Sequence, residues 1–182
     1  MRNKGSMKKP LLTCENGNVV EVLGGTKRQR ELVSEIAHYC IRELMPRLRT
    51  LEIDITLNKC LDDGAFGFCY ALDTNRAFQI EVDKRMTKEY PELGADMFIE
   101  TVCHEMVHVW QQAKNMMIDR VRVKREFGSV KLGYRRFWKN LKTGEYDDHS
   151  ETAYSKQPWE RQAYRMQGKL VKGFKKEYYG IS

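Results

Sequence analysis

The run Thr101-Val-Cys-His-Glu-Met-Val-His-Val-Trp-Gln-Gln112 contains an HExxH pattern. On a helix, His104 and His108 lie one turn apart on one face, roughly 6 Å along the axis, so both imidazoles reach one metal ion. Glu105 is turned by about 100° from His104. That offset lets its carboxylate touch a water beside the metal without ligating the metal, as a general base in metal-assisted hydrolysis must. The competing reading is two surface histidines on an ordinary amphipathic helix.

A catalytic zinc keeps three protein ligands and one open position, so two ligands must become three. Downstream, His149 lies in the polar run Asp147-Asp-His-Ser150, and Glu160 follows Trp159 near the start of an expected helix. A glutamate placed there also suits a capping role, reaching back to the free N–H groups of the first turn. The residues by themselves leave both ligands open, with Glu160 slightly favoured because a packed aromatic neighbour directs it inward. Tyr164, Tyr154, Arg161 and His149 are the candidates for stabilising an oxyanion near this segment.

The elements that must position these groups follow from periodicity. Apolar residues at Ala95, Ile99, Val102, Met106, Val109 and Ala113 form a core face nearly opposite His104, with Pro91 and Glu92 suiting the first turn. A helix is expected from Lys27 to about Leu48, its stripe running from Leu32 to Leu44, with Pro46 near its end and His38 on the solvated face. Three strand-like runs follow at 51–57, 64–72 and 77–82. Short polar turns between them favour an antiparallel meander whose last strand is an edge open to an extended peptide. Residues 116–131 fit either a strand or a continued helix, and 132–146 lean towards a hairpin turning at Lys142-Thr-Gly144. A final helix should run from Pro158 to about Tyr179, with Trp159, Ala163, Met166, Leu170 and Phe174 as core.

Composition sets bounds on this. The 182 residues suit one domain, expected over 10–182 behind a disordered tail at 1–9, and need no staples. Five cysteines, an odd number without a CxxC pair, argue against a disulfide framework and against a zinc ribbon. They read as reduced, mostly buried thiols. Neither a signal-peptide core nor an apolar run near the ~20 residues of a membrane span is present, so the expectation is a cytoplasmic protein without a membrane partner. The formal net charge is +7, and ten Lys and Arg residues fall between Lys114 and Lys142, interleaved with Tyr134, Phe137 and Trp138. Segment 114–142 is therefore a candidate DNA contact; the alternative is a solvated basic face.

The pairing of His104-Glu105-Met-Val-His108-Val-Trp-Gln111 with a later Gln157-Pro-Trp-Glu160-Arg-Gln-Ala163-Tyr164 resembles the small zincin-like metallopeptidases of the SprT-like group, including versions encoded by bacteriophages. The resemblance spans roughly Glu31 to Tyr164, with these two motifs as its specific part. It implies Glu160 as third zinc ligand, peptide-bond hydrolysis, and host cytoplasm if the chain is phage-encoded. The sequence departs from the SprT and Spartan branch in having no C-terminal four-cysteine ribbon and in following His149 with Ser150. The expectation is thus an α+β zincin-like domain: a small antiparallel or mixed sheet packed on the HExxH helix, flanked by N- and C-terminal helices. Zinc on His104, His108 and Glu160, with Glu105 as base, would cleave peptide bonds in proteins, including those associated with DNA. The rival is a nucleic-acid-binding protein whose zinc is structural, with a closed shell that takes both His149 and Glu160.

Overall fold

A computed structural model of the chain describes residues 9–61, 64–72, 74–85, 94–126 and 129–180, with side chains at all of these except 94–95, 119–126 and 129–134. Pro91, Glu92 and nearly all of the 1–9 tail lie outside the described residues, as do the side chains of Ala95 and of much of segment 114–142.

Among the described residues the architecture is α+β, with three α-helices, a mixed five-stranded sheet and a second sheet of three strands. Residues 10–26, which the sequence expectations leave unassigned, form a hairpin of β1 (Leu11–Glu15) and β2 (Asn18–Gly24). Its two-residue turn, Asn16-Gly17, has φ of 52° and 79°. Those left-handed values match the twist of the flanking strands, and Asn-Gly is the pair that adopts them most cheaply. The first helix, α1 (Lys27–Leu44), starts at a reciprocal cap: the Gln29 N–H donates to Thr26 Oγ1 at 3.2 Å and the Thr26 N–H to Gln29 Oε1 at 2.9 Å. It ends before Pro46, four residues short of the expected Leu48.

His38 is not solvated. It is 6% exposed because β1 lies over that side of α1, bringing Thr13 Oγ1 within 2.8 Å of His38 Nε2 and within 2.7 Å of Ser34 Oγ. Burial pushes the imidazole below its usual pKa, against the pull of Glu15 and Glu35. A stripe count on α1 alone misses this, because the covering strand is contributed by the hairpin.

The next strands are β3 (Glu52–Asn58), β4 (Gly67–Ala71) and β5 (Ala77–Asp83). The sheet order is β1-β2-β3-β5-β4, with β2, β3 and β5 mutually parallel and antiparallel strands at both ends. The expected meander is therefore corrected: β5 sits between β3 and β4, and the edge is β4. The physical reason is burial. Ile53, Ile55 and Leu57 on β3 and Phe78, Ile80 and Val82 on β5 bury the face turned to the helices and so take the centre of the core, whereas β4, with Gly67 and the exposed Tyr70, suits the edge. Only the β4–β5 hairpin keeps the antiparallel pairing that its short turn requires.

The buried face of this sheet packs on α1 and on α2 (Gly94–Ala113), and α3 (Pro158–Tyr179) packs in turn on those two helices, all in one apolar cluster. Ile99, Val102, Met106, Val109 and Ala113 of α2 are buried as the periodicity requires. The end of α2 is tied to the β4–β5 turn, since Arg76 donates to the carbonyl of Ala113 at 3.1 Å. After α2, β6 (Met117–Glu126) resolves the ambiguity at 116–131 as a strand. It pairs with β7 (Ser129–Lys139), which pairs in turn with β8 (Tyr146–Asp148) across the turn expected at 142–144. The last helix, α3, has Pro158 at its start and closes on Gly180, whose φ of 67° is the left-handed cap that ends helices at glycine. Of the five cysteines, all free, Cys40 and Cys103 are buried, Cys69 is half-buried, and Cys14 and Cys60 are exposed, so burial is less general than expected.

Candidate metal centre

Helix α2 presents His104 and His108 on the face away from its apolar stripe, and α3 crosses above them with Glu160 in its first turn. The three side chains converge. His104 Nε2 is 3.1 Å from His108 Nε2 and 3.2 Å from Glu160 Oε2, while His108 Nε2 is 3.5 Å from Glu160 Oε1. All their ligand atoms lie within 4.8 Å of one another, and each residue is at least nine-tenths buried. Trp159, 1% exposed, anchors the turn that carries Glu160, so the aromatic neighbour directs the carboxylate inward as the sequence suggests. No side-chain hydrogen bond caps α3, which sets the capping role of Glu160 aside.

The outer hydrogen bonds set the ligand chemistry of this cluster. Gln111, fully buried, donates through Nε2 to the Trp159 carbonyl and to Gln162 Oε1, each at 3.0 Å. Its Oε1 therefore faces His108 Nδ1, at 2.8 Å, and since that oxygen only accepts, Nδ1 carries the proton. His108 Nε2 is left as a bare lone pair. Gln167 Oε1 meets His104 Nδ1 in the same way at 2.9 Å. Two imidazole lone pairs and a carboxylate thus point at one another with no donor between them, a set that a divalent cation with a taste for nitrogen and oxygen ligands satisfies. The residues present fit zinc.

The electrostatics agree. Burial opposes a charge on His104, yet the hydrogen bond to Glu160 and the nearby Glu105 hold its pKa above the usual imidazole value. Burial likewise opposes a charged Glu160, but contacts with His104, His108 and the Tyr154 hydroxyl hold that carboxyl far below the ordinary range. The ionised carboxylate favours a metal, which has to displace the proton that His104 otherwise holds.

Glu105 is 6% exposed and lies beside the cluster without joining it. Burial raises its pKa, with His108 and His104 pulling the other way, and a raised carboxyl is the better proton acceptor. Edge strand β4 comes so close here that a Cβ on Gly67 would stand 2.7 Å from Glu105 Oε1 and 2.8 Å from Thr101 Cγ2. Only glycine fits there, and it lets the β4 backbone border the base. Along the same side runs a cleft of about 320 Å³ whose walls include His104, Glu105, Tyr154, Tyr164 and Gln167.

Of the four oxyanion candidates, Tyr154 and Tyr164 border this cleft. The Tyr154 hydroxyl hydrogen-bonds to Glu160 and to Tyr164, and burial followed by those contacts raises its pKa strongly. Arg161 points to solvent. His149 is elsewhere: its Nδ1 is 3.3 Å from Thr152 Oγ1 and its ring packs edge-on against Trp159 at 6.0 Å. Sequence reasoning passed over Gln111, Gln167 and Gly67. Gln111 had a signal, since an amide three residues after a helical ligand lies on the same face. Gln167 and Gly67 had none, because each meets the site only through tertiary packing.

Replacing Gln111 by Leu removes the acceptor that fixes His108 in its ligating tautomer. Zinc affinity of the purified chain, read by competition with a chromogenic chelator, is expected to fall about 10–100-fold. An unchanged affinity in a folded variant would show that the tautomer is set by something else.

Fold and site together define an α+β protein with a three-residue candidate metal centre flanked by a carboxylate. No family model, no curated protein and no solved structure matches this chain.

Proposed function

We propose that the chain is a zinc-dependent metallopeptidase of the zincin type. The observation that carries this reading is the convergence of His104, His108 and Glu160 as three acceptors, with Glu105 beside them and no fourth ligand among the described residues. Held by these three residues, zinc supplies an activated water and a positive charge that polarises the scissile carbonyl. Glu105 takes the proton of the attacking water and delivers it to the leaving amine. The Tyr154 and Tyr164 hydroxyls, here bonded to Glu160 and to each other, would turn to the carbonyl oxygen as it gains charge. The β4 edge, ending the sheet beside Glu105, offers main-chain groups to an extended peptide.

The structural-zinc alternative calls for His149 inside a closed four-ligand shell. Its contacts with Thr152 and Trp159 speak against that. A protease recruited to DNA draws on one observation. The β6–β7 register sets Arg120 opposite Arg135 and Lys124 opposite Lys131, concentrating cations along one hairpin.

The test is cleavage of a casein-type substrate by the zinc-loaded chain, by the chelator-stripped chain and by the stripped chain after zinc is restored. Activity that is lost and regained supports the proposal, and cleavage indifferent to the metal would sink it. Duplex DNA in the same assay decides recruitment: stimulation that fades as salt rises is expected of phosphate contacts.

A further inference from the structure

The cleft beside the metal centre has a chemical character that the hydrolytic reading does not use. Helix α2 lines it one turn before the HExxH residues with Met97, Glu100 and Thr101, and it faces Phe66 from the β4 side and Tyr164 from α3. Glu100 is four residues ahead of His104, on the same face of the helix. Its carboxylate is exposed and has no ion pair or hydrogen bond among the described residues. Asp96, one turn earlier, differs: Lys175 reaches it at 2.7 Å.

Glu105 is the other acid of this wall, and it too lacks a hydrogen-bond partner among the described residues while being more than nine-tenths buried. No Lys or Arg belongs to the described lining of the cleft. Arg136, which acts electrostatically on Glu105, instead stacks on Trp159 with its guanidinium 5.4 Å from the ring centroid. The described lining of this cleft is thus acidic in a chain with a formal net charge of +7.

Phe66 and Tyr164 are substantially exposed, as is Tyr154 across the cleft. Exposed aromatic walls with an unpaired carboxylate suit a side chain that has a long apolar stem and a cationic end. The stem packs along the rings and the cation meets both their π faces and the acid. An aliphatic side chain would use the walls but leave Glu100 unanswered, and an acidic one would be repelled.

We propose that this cleft is a specificity subsite for lysine or arginine in the peptide residue flanking the scissile bond, with Glu100 as the residue that selects the charge. The inference rests on the metallopeptidase reading and deepens it. One turn of helix separates Glu100 from the first zinc ligand, a span that a lysine side chain next to the scissile carbonyl bridges.

The test uses quenched fluorescent peptides identical except for Lys, Leu or Glu at each of the two positions flanking a central bond. Product masses locate the cut. For the zinc-loaded full chain, kcat/KM at one flanking position is expected to favour Lys over Leu by about fivefold, the scale of a partly exposed ion pair, with Glu lowest. Glu100→Gln should bring the Lys-to-Leu ratio close to unity, and Glu100→Lys should invert the order in favour of Glu. Dissociation constants of the same peptides for the zinc-free chain should follow the same ratios, which reads the subsite without catalysis. A Lys preference that survives Glu100→Gln, or none in either measurement, overturns the inference. Failure to cleave any peptide overturns the hydrolytic reading, and the binding ratios then decide the subsite alone.

Discussion

Glu105→Gln is expected to leave about one equivalent of zinc bound and to lower cleavage of a casein-type substrate by about 10²–10⁴-fold, the span that a positioned general base contributes. The substitution is nearly isosteric, so the tight approach of Gly67 to this side chain is preserved. The amide, however, accepts no proton at neutral pH. Because Glu105 stands outside the cluster of His104, His108 and Glu160, the metal does not depend on it. Loss of turnover with retention of metal separates a base from a ligand. Should the variant match the wild type with and without DNA, the centre is not hydrolytic and the chain is better read as a binding protein.

The second large effect is on the metal itself. Glu160→Ala should reduce zinc affinity by more than the ~10–100-fold typical of an outer-sphere partner, whereas His149→Ala should leave it unchanged. Glu160 supplies the only carboxylate of the cluster and touches both histidines, at 3.2 and 3.5 Å. His149 spends its contacts on Thr152 and Trp159. Since Glu160 is buried, its removal also alters packing near Trp159, so Glu160→Gln serves as the companion variant: it keeps the volume and removes the charge. Zinc content by mass spectrometry of metals, with circular dichroism as the folding control, reads all three. Zinc held firmly by both Glu160 variants would overturn the assignment of the third ligand.

What the sequence disclosed about this site is what local geometry dictates. His104, Glu105 and His108 share one helix, and their relation depends only on the helical repeat. Glu160 was within reach because Pro158 marks a helix start and because the Trp-Glu pair resembles a known ligand segment; that it, and not His149, gathers with His104 and His108 is visible only once α3 lies over α2. Strand order was out of reach for a different reason. The parallel β3–β5 pairing joins residues separated by a whole intervening strand, and nothing in either run names its neighbour. The burial of His38 was hidden likewise, since it depends on Thr13 from a hairpin distant in the chain. The Asn16-Gly17 turn, by contrast, was legible, and it would have supplied that hairpin.

The β4 edge has a consequence for the protein as a solute. Most proteins blunt a sheet edge with charge, proline or a covering segment, because unpaired strands recruit one another. On the proposed peptidase reading this strand would have to stay uncovered to receive an extended substrate, and Phe66, Tyr70 and Leu72 stand exposed on and beside it. The same groups make it a template for stacking copies of the chain edge to edge. Mutual repulsion from a formal net charge of +7 opposes that stacking, and it weakens as added salt screens it. The same strand that the peptidase reading assigns to substrate thereby limits colloidal stability, and concentrated solutions at high ionic strength are where reversible self-association should first emerge.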